Sequence, residues 1–226
     1  MDAYYVGMLE ERQSLCFQRK APLEFVARVR SAEELRRQLG SLGVHAALTR
    51  TGDYRLPIAT RAEIANVARP KLFVSVHHNA GAAAARSDPG TEVYFQHRSA
   101  ASKRLAGLIW ESLVAALRRV SAHWVGASDA GAIYRLGRTG SDFYGVLRDT
   151  HAPAVLIEPS YMSSASEAHL LSTASFRTIE AKAIADGIQR YLTTRDPGSG
   201  FHQPLPRGYD DAGGGGTDNC RDPALT

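Results

Sequence analysis

The stretch KLFVSVHHNAG, residues 71–81, is the part of the sequence that decides the fold. Its apolar first half is typical of a buried strand, and it ends abruptly in two histidines and an asparagine. A later stretch, APAVLIEP at residues 152–159, has the same plan, because a nearly continuous apolar run ends in Glu158. Strands that are apolar on both faces are typical of a parallel sheet covered by helices. The two stretches therefore predict the centre of such a sheet.

Helical patterns alternate with the predicted strands. From Leu23 onward apolar residues recur at helical spacing, and Pro22 is placed to open this helix and Gly40 or Gly43 to close it. The same criteria predict the remaining helices at 58–68, 100–120 and 176–192 and further strands at 44–49 and 90–96. The alternation predicts an α/β fold with three layers, in which a mostly parallel twisted sheet is flanked by helices.

Length and composition indicate one domain and a tail. A chain of 226 residues with 44% hydrophobic and 22% charged residues is large enough for one α/β core. From about residue 194 the sequence is rich in Gly, Pro and Asp and cannot bury much apolar area, so residues 194–226 are predicted to be a disordered tail. Residues 22–193 are predicted to form the domain, and residues 1–21 form an atypical or truncated N-terminal segment.

The charge of the chain favours some partners over others. The formal net charge is +4 and the pI is near 9.2, but the basic residues are scattered and no aromatic-rich basic stretch occurs, which disfavours nucleic acid. An anionic polymer such as a cell wall suits this charge equally well.

The two cysteines, Cys16 and Cys220, form no C-x-x-C motif, and both a disulfide and two unrelated thiols stay open. No apolar run is long enough for a transmembrane segment, and no signal peptide is visible.

Polar side chains at the ends of the two central strands are the first candidates for chemistry, because ligands of open α/β sheets bind beyond the carboxyl ends of the strands. His77 and His78 follow one strand, and since successive strand residues point to opposite faces, only one of them is expected at a site. A histidine at a strand end is more often hydrogen-bonded or exposed than a metal ligand. Glu158 must be paired, protonated or beside a polar cleft, since burying a carboxylate alone costs several kcal/mol.

An ordered set of motifs resembles a known family. The set consists of residues 43–81, which contain TRTGD, ATRAEIAN and SVHHNAG, then GTEVYF at 90–95, PAVLIEPSYMSSASE at 153–167 and the helix at 176–192. It closely resembles the zinc-dependent N-acetylmuramoyl-L-alanine amidases of the Amidase_3 family, which cut peptidoglycan. The resemblance extends from about Pro22 to Leu192 and marks residues 22–193 as an amidase-like catalytic domain.

The resemblance implies roles for individual residues. His77 matches a metal-binding histidine and Glu158 the catalytic glutamate, whereas His78 occupies a position that is usually small, so that its role is open. Glu24 matches the metal-binding glutamate, because it lies nineteen residues before Gly43, the glycine that ends the first helix. The implied cofactor is Zn²⁺, held by Glu24, His77 and a third, unassigned ligand. Three further matching residues are interpreted as pinning loops rather than contacting substrate: Arg61, Asn66 and Asn79.

One motif of the family is missing from the sequence. The family begins with a strand and a D-P-G-H-G-G motif whose histidine is the first zinc ligand, but the corresponding window here, MLEERQSLC at residues 8–16, contains no histidine. His45, the first histidine in the chain, lies at a position that the family does not use for metal. We therefore expect both the strand and the ligand to be missing, through a truncated or replaced front end rather than the loss of one ligand.

The implied function is hydrolysis of the amide between N-acetylmuramic acid and L-alanine, with zinc-activated water and Glu158 as acid and base, in the periplasm or outside the cell. Some members carry a long helical plug that a partner removes. The stretch from Tyr94 to Glu158 leaves no room for such a plug, so no activator is expected.

The main alternative is a catalytically impaired peptidoglycan-binding or regulatory module that lacks a complete zinc site. A zinc hydrolase of another small amide is a third reading, because a fold alone does not specify a substrate.

Overall fold

The structure, a computed structural model, describes residues 6–10, 22–52 and 56–198, and the side chains of residues 30–52 and 56–198. The strands are β1 (Val6–Glu10), β2 (Ala46–Leu48), β3 (Leu72–Val76), β4 (Ala84–Arg86), β5 (Glu92–Phe95), β6 (Trp124–Gly126), β7 (Ala132–Ile133) and β8 (Ala154–Glu158). The helices are α1 (Pro22–Ser41), α2 (Ile58–Ala68), α3 (Ala100–Leu117), α4 (Gly145–Asp149), α5 (Ala165–Ser172) and α6 (Ala174–Thr193).

Six strands form one sheet in the order β2-β1-β3-β8-β5-β7. The first four of these strands are mutually parallel, β5 runs antiparallel to β8, and β7 is parallel to β5. Strands β4 and β6 pair with each other in a separate antiparallel ribbon. The predicted mostly parallel sheet is therefore confirmed, and β3 and β8, the two strands predicted at its centre, are neighbours there.

Helices cover both faces of the sheet, which confirms the three layers. The thicker layer contains α1, α3, α5 and α6, whose apolar side chains pack with alternate strand residues such as Val74, Val155 and Ile157. The thinner layer contains α2 and α4, which pack on the strand residues that point the other way, including Phe73 and Leu156. Because both faces are buried, β3 and β8 are apolar at successive positions rather than at alternate ones.

The contact between α3 and α6 depends on one glycine. A Cβ atom added at Gly187 would lie 2.6 Å from the Cα atom of Ile109, a separation that real Cβ atoms do not show. The absence of a side chain at Gly187 therefore lets the two helices approach backbone to backbone. Glu180, also on α6, contacts His78 after β3 and Ser160 after β8.

The prediction that the opening strand is missing was wrong. Strand β1, Val6–Glu10, lies between β2 and β3, and Glu10 pairs with Val76 at the end of β3. Its five residues have little strand pattern of their own. They form a strand because they pair with a strand on each side, and sequence spacing does not reveal this pairing. The segment still contains no histidine.

The predicted helices and strands agree with the structure to within a few residues at their ends, as is usual for element boundaries.

Residues 194–198, the first part of the predicted tail, bond to neighbouring helices: the Nε atom of Arg104 donates to the carbonyl oxygen of Asp196 at 2.6 Å. Residues 199–226, and both Cys16 and Cys220, lie outside the described residues. Within the described ranges, no helix combines the length and apolar character that crossing a bilayer requires.

Candidate active site

The ends of β3 and β8 bring His77 and Glu158 together. The backbone N–H of His77 donates to the carbonyl oxygen of Ile157 at 2.8 Å, and the register that pairs Val76 with Ile157 sets His77 beside Glu158. Neighbouring residues in register on parallel strands point to the same face of a sheet. Both side chains are buried, with 3% of His77 and 2% of Glu158 exposed. The Oγ atom of Ser75 lies 2.8 Å from Nε2 of His77 on the same face.

A second carboxylate lies across from Glu158. Strand β5 pairs with β8 so that Glu92 is directly opposite Glu158, and Glu92 is fully buried. The phenol of Tyr94 and the amide of Asn79, 3.3 Å away, donate to its Oε2 atom, and the phenol of Tyr161 donates to its Oε1 atom at 2.9 Å. Three donors from three different parts of the chain therefore converge on one carboxylate beside Glu158.

An aromatic cluster borders the two carboxylates. The ring of Tyr144 meets that of Tyr94 edge-on, with 4.8 Å between ring centroids, and Phe143 also packs against Tyr144, with 5.2 Å between centroids. The pKa of Tyr144 is raised to about 12, chiefly by burial and then by the negative charge of Glu158, against the opposing effect of a hydrogen bond with Tyr94. Tyr144 therefore stays a neutral phenol at physiological pH and senses the charge of Glu158.

His78 points to the other face of the sheet. Its Nε2 atom lies 3.1 Å from Oε2 of Glu180 on α6, and the hydroxyl of Ser160 donates to Oε1 of Glu180 at 2.7 Å. All three residues are buried. The prediction that the two histidines face opposite ways is confirmed, and the open role of His78 is resolved: it ties the end of β3 to α6.

Glu167 holds the loop that follows Glu158. The backbone N–H groups of Tyr161 and Val125 donate to its two carboxyl oxygens at 2.7 and 2.8 Å, and Ser164 caps the helix α5 that carries it. Burial raises the pKa of this carboxyl above its ordinary value, the two backbone N–H groups lower it, and the charge of Glu180 raises it. Glu167 thus shapes the turn after the candidate catalytic strand.

Asn66 and Asn79 both brace backbone, as predicted. The side chain of Asn66 donates to the carbonyl oxygen of Asp149 and accepts from the N–H of His151, both at 2.8 Å, and so holds the loop that leads into β8. The side-chain Oδ1 atom of Asn79 accepts from the N–H of Ala80 at 2.9 Å, and its amide nitrogen is the donor to Glu92 described above. The main-chain carbonyl oxygen of Asn79 also accepts from the N–H of Met162 at 2.7 Å, which joins the end of β3 to the loop after β8.

Arg61 pins a loop, as predicted, and the assignment of Glu24 as a metal ligand stays a prediction. The Nε atom of the buried Arg61 donates to the carbonyl oxygen of Leu56 at 2.6 Å and so pins the loop before α2. Glu24 lies in the first turn of α1, and its side chain is outside the part of the structure that is described. His45 is exposed and precedes β2.

The family model for N-acetylmuramoyl-L-alanine amidases, Amidase_3, matches residues 18–190. This chain belongs to the Amidase_3 family. It is 32% identical over 162 residues to an uncharacterized protein of Bacillus subtilis, YqiI, with 71% of this chain and 70% of YqiI covered. It is 27% identical over 192 residues to the N-acetylmuramoyl-L-alanine amidase AmiC of Neisseria meningitidis, which covers 72% of this chain but only 46% of AmiC.

The fold of this Amidase_3 chain agrees with a solved member. The catalytic domain of the N-acetylmuramoyl-L-alanine amidase CwlV from Bacillus (Paenibacillus) polymyxa var. colistinus superposes with a TM-score of 0.62 and 26% identity, covering 85% of this chain and 99% of that domain. The match spans most of both chains. The α/β architecture described above is therefore the architecture of the family.

The described residues supply only part of a zinc ligand set. Among them, no group of three His, Cys, Asp or Glu side chains lies close enough together to hold a metal ion. On the face of the sheet that carries the site, His77 is a suitable nitrogen donor and Glu158 a suitable oxygen donor, but structural and catalytic zinc sites use at least three protein ligands. The part of this Amidase_3 chain for which side chains are described therefore does not complete a zinc site.

Sequence reasoning missed the residues that surround Glu158, namely Glu92, Tyr144 and Tyr161. Glu92 carried a usable signal, because an acid that borders the apolar run VYF is the same pattern that pointed to Glu158 at the end of AVLI. What the sequence could not provide was the antiparallel pairing that places the two acids opposite each other in this Amidase_3 chain.

Proposed function

We propose that this protein is a peptidoglycan hydrolase that cleaves the amide between N-acetylmuramic acid and the L-alanine of the stem peptide. Membership of a family of N-acetylmuramoyl-L-alanine amidases supports the substrate class. The observation that carries the proposal is the buried Glu158 beside His77 at the carboxyl edge of the sheet, where this fold class places its ligands.

Glu158 is the proposed acid and base. A water molecule attacks the lactyl carbonyl, a C–O bond forms, and the proton that the water loses passes to the Glu158 carboxylate. The C–N bond then breaks as Glu158 gives that proton to the nitrogen of alanine, so that a lactyl carboxylate and a free amino group are the products. The buried position of Glu158 favours this role, since an ionised carboxylate is a stronger base where few water molecules solvate it.

Zn²⁺ is the proposed cofactor, held by His77 and Glu24 with a third ligand unassigned. When bound, it would polarise the carbonyl and supply hydroxide at neutral pH. The hydrogen bond from the backbone of His77 to Ile157 fixes the strand end that carries the imidazole. Ser75, 2.8 Å from Nε2 of His77, restricts the orientation of the ring.

A second candidate function is a peptidoglycan-binding or regulatory module without activity. One observation favours it: within the described parts of the chain, three metal-competent side chains do not converge. A protein with two zinc ligands would bind the metal far more weakly than one with three. Such a module would bind peptidoglycan but would release no product.

The proposed site of action is the cell envelope, in the periplasm or outside the cell, because peptidoglycan lies there. The chain spans about half of the amidase AmiC that it matches, so other regions of a longer protein could contribute to the activity. We also propose that no activator is needed, since the chain between β5 and β8 forms α3, α4 and short strands rather than one long inserted helix.

The deciding experiment combines metal analysis with product release. Purified wild-type protein is expected to contain zinc and to release stem peptides from peptidoglycan without a partner protein, whereas Glu158→Ala is expected to retain the zinc and to lose release by at least about a hundredfold. Zinc-free wild-type protein that pellets with peptidoglycan but releases nothing would contradict the enzyme and support the binding module.

A further inference from the structure

A cavity of about 630 Å³ lies at the surface between α1 and α6. Side chains from the middle of α1 and from the first turns of α6 line it, and none of them belongs to the candidate active site. Most of the lining side chains are charged, and arginine predominates: Arg30, Glu33, Glu34, Arg36, Arg37 and Arg177. The cavity is therefore a second polar feature of the domain, and its chemistry points to an anion.

One ion pair in this cavity is already complete. The Nε atom of Arg37 donates to one carboxyl oxygen of Glu34 at 2.8 Å, and the side chain of Gln38 donates to the other at 2.8 Å. The hydrogen bond from Arg37 lowers the pKa of Glu34 to about 2, so this carboxylate stays charged and cancels the charge of Arg37. Three guanidinium groups and one carboxylate, that of Glu33, are left, which gives the cavity an excess of two positive charges.

Arg177 is the buried member of the remaining group. It is only 6% exposed, and its Nη1 atom donates to the carbonyl oxygen of Leu171 at 2.7 Å. Burial lowers the pKa of Arg177, and the charge of Arg30 lowers it further, against the charges of Glu180 and Glu34. Arg30 and Arg177 are therefore like charges held near each other at the wall of the cavity. An anion in the cavity would relieve their repulsion.

The amino-terminal end of α6 adds to the positive potential. Ala174 is the first residue of this helix of 20 residues, and it lines the same cavity, as does Thr178 one turn later. The backbone N–H groups at the start of a helix carry partial positive charge and bind anions. The helix end and the guanidinium of Arg177, which the same turn of α6 carries, thus act on one space.

We propose that this cavity binds a phosphate monoester, with Arg30 and Arg177 as the principal contacts of the phosphate group. The second pKa of such a phosphate is about 6, so at neutral pH it carries close to two negative charges, which match the excess of the cavity. The planar guanidinium group donates two parallel hydrogen bonds to phosphate oxygens. A volume of about 630 Å³ also has room for a sugar or polyol on the phosphate. This binding requires neither zinc nor the cleavage of peptidoglycan.

Isothermal titration calorimetry with glycerol 3-phosphate, at pH 7.5 and constant ionic strength, tests the proposal. Wild-type protein is expected to bind with a Kd of about 1 mM or lower, and to bind the monoanion dimethyl phosphate at least about fivefold more weakly. Equal affinity for the two compounds would overturn the assignment to a monoester.

Three variants of the cavity and one matched control locate the binding. Arg30→Gln, at an exposed position, is expected to raise the Kd about tenfold, and Arg177→Gln at least as much. Glu33→Gln removes the opposing carboxylate and is expected to lower the Kd at least about twofold. The control is Arg119→Gln, which removes an exposed positive charge outside the cavity and should change the Kd by less than about twofold.

Two further outcomes would overturn the proposal. Equal Kd values for Arg30→Gln and Arg119→Gln would mean that the phosphate binds elsewhere in the protein. Binding to phosphatidylglycerol vesicles that depends on Arg30, without binding of glycerol 3-phosphate, would make the cavity a contact for a membrane surface instead. If Arg177→Gln does not fold, Arg30→Gln and Glu33→Gln decide, because their opposite effects on the Kd are expected only if the ligand is an anion in this cavity.

Discussion

His77 and His78 are neighbours in the chain and equally buried, yet they belong to different parts of the molecule. His77 lies on the face of the sheet that carries Glu158 and Glu92, which is the face that α2 and α4 cover. His78 lies on the opposite face and is bound to Glu180 of α6, which Ser160 also contacts. One face gathers groups suited to reaction with a substrate, and the other face closes a buried polar network.

The difference shows how a fold assigns roles that residue type does not. At each strand end one residue faces the site and a nearby residue anchors the strand: His77 and His78 at the end of β3, Glu158 and Ser160 at and after the end of β8. The anchors meet at a single carboxylate, Glu180. The network therefore restrains both strand ends that carry the proposed catalytic groups, without being part of the reaction.

The largest predicted effect tests whether substitutions of His77 and His78 have different consequences for activity and zinc binding. His77→Ala is expected to lower stem-peptide release by about a thousandfold and to reduce bound zinc, because the imidazole is a proposed metal ligand. His78→Ala is expected to lower release per folded molecule by less than about tenfold, with zinc retained. Product release and metal content of the two purified variants check this. Similar losses of zinc in both variants would mean that the faces do not divide the roles as described.

The second prediction concerns stability on the His78 face. Glu180→Ala leaves the buried imidazole of His78 and hydroxyl of Ser160 without the carboxylate that both contact, which is expected to lower the free energy of unfolding by about 3 kcal/mol. Urea denaturation measures this loss. The His78→Ala and Glu180→Ala double variant should lose less than the sum of the single variants, because the two residues share one interaction. If the loss in the double variant equals the sum of the two single losses, His78 and Glu180 do not stabilise the protein through a shared interaction.

Much of this arrangement was open to prediction from the sequence. The apolar runs of β3 and β8, the periods of α2 and α6, and the alternation that separates His77 from His78 are all local patterns, and local patterns appear in a sequence. The resemblance of the ordered motifs to the Amidase_3 family added His77 and Glu158 as proposed site residues.

The remainder depends on contacts between distant parts of the chain. Glu92 meets Glu158, 66 positions later, only because β5 runs antiparallel to β8, and no local pattern fixes that direction. Strand β1 forms because β2 and β3 pair with it from both sides, although its own residues have a weak strand pattern. Glu180 meets His78, 102 positions earlier, only because α6 packs over the end of β3, and the close approach of α6 to α3 at Gly187 depends on the absence of a side chain. Sequence patterns predict what each element is, and tertiary packing decides which polar groups meet.

The smallest predicted effect is a pH dependence of stability caused by Glu167, a buried carboxylate on α5, in contrast to Glu180 on α6. Glu180 is bound to an imidazole, whereas Glu167 is held only by backbone N–H groups and the cap of its helix, and burial raises its pKa above the ordinary value of 4.5. A carboxyl whose pKa is raised on folding holds its proton more tightly in the folded protein than in the unfolded one. Its contribution to stability is therefore complete below about pH 4.5 and is lost as the pH rises through the raised pKa.

Glu167→Gln cannot ionise, so this pH-dependent loss should disappear in the variant. The difference in unfolding free energy between wild type and Glu167→Gln is expected to shift against the wild type as the pH rises from 4 to 7, by less than the effect of Glu180→Ala, because both N–H donors stay bonded to the ionised carboxylate. Chemical denaturation of both proteins at several pH values measures the difference. If the difference in unfolding free energy does not change with pH, the two backbone donors fully offset the cost of burying the charge. Glu167 would then resemble Glu180, because the hydrogen-bond partners of each carboxylate would compensate its burial.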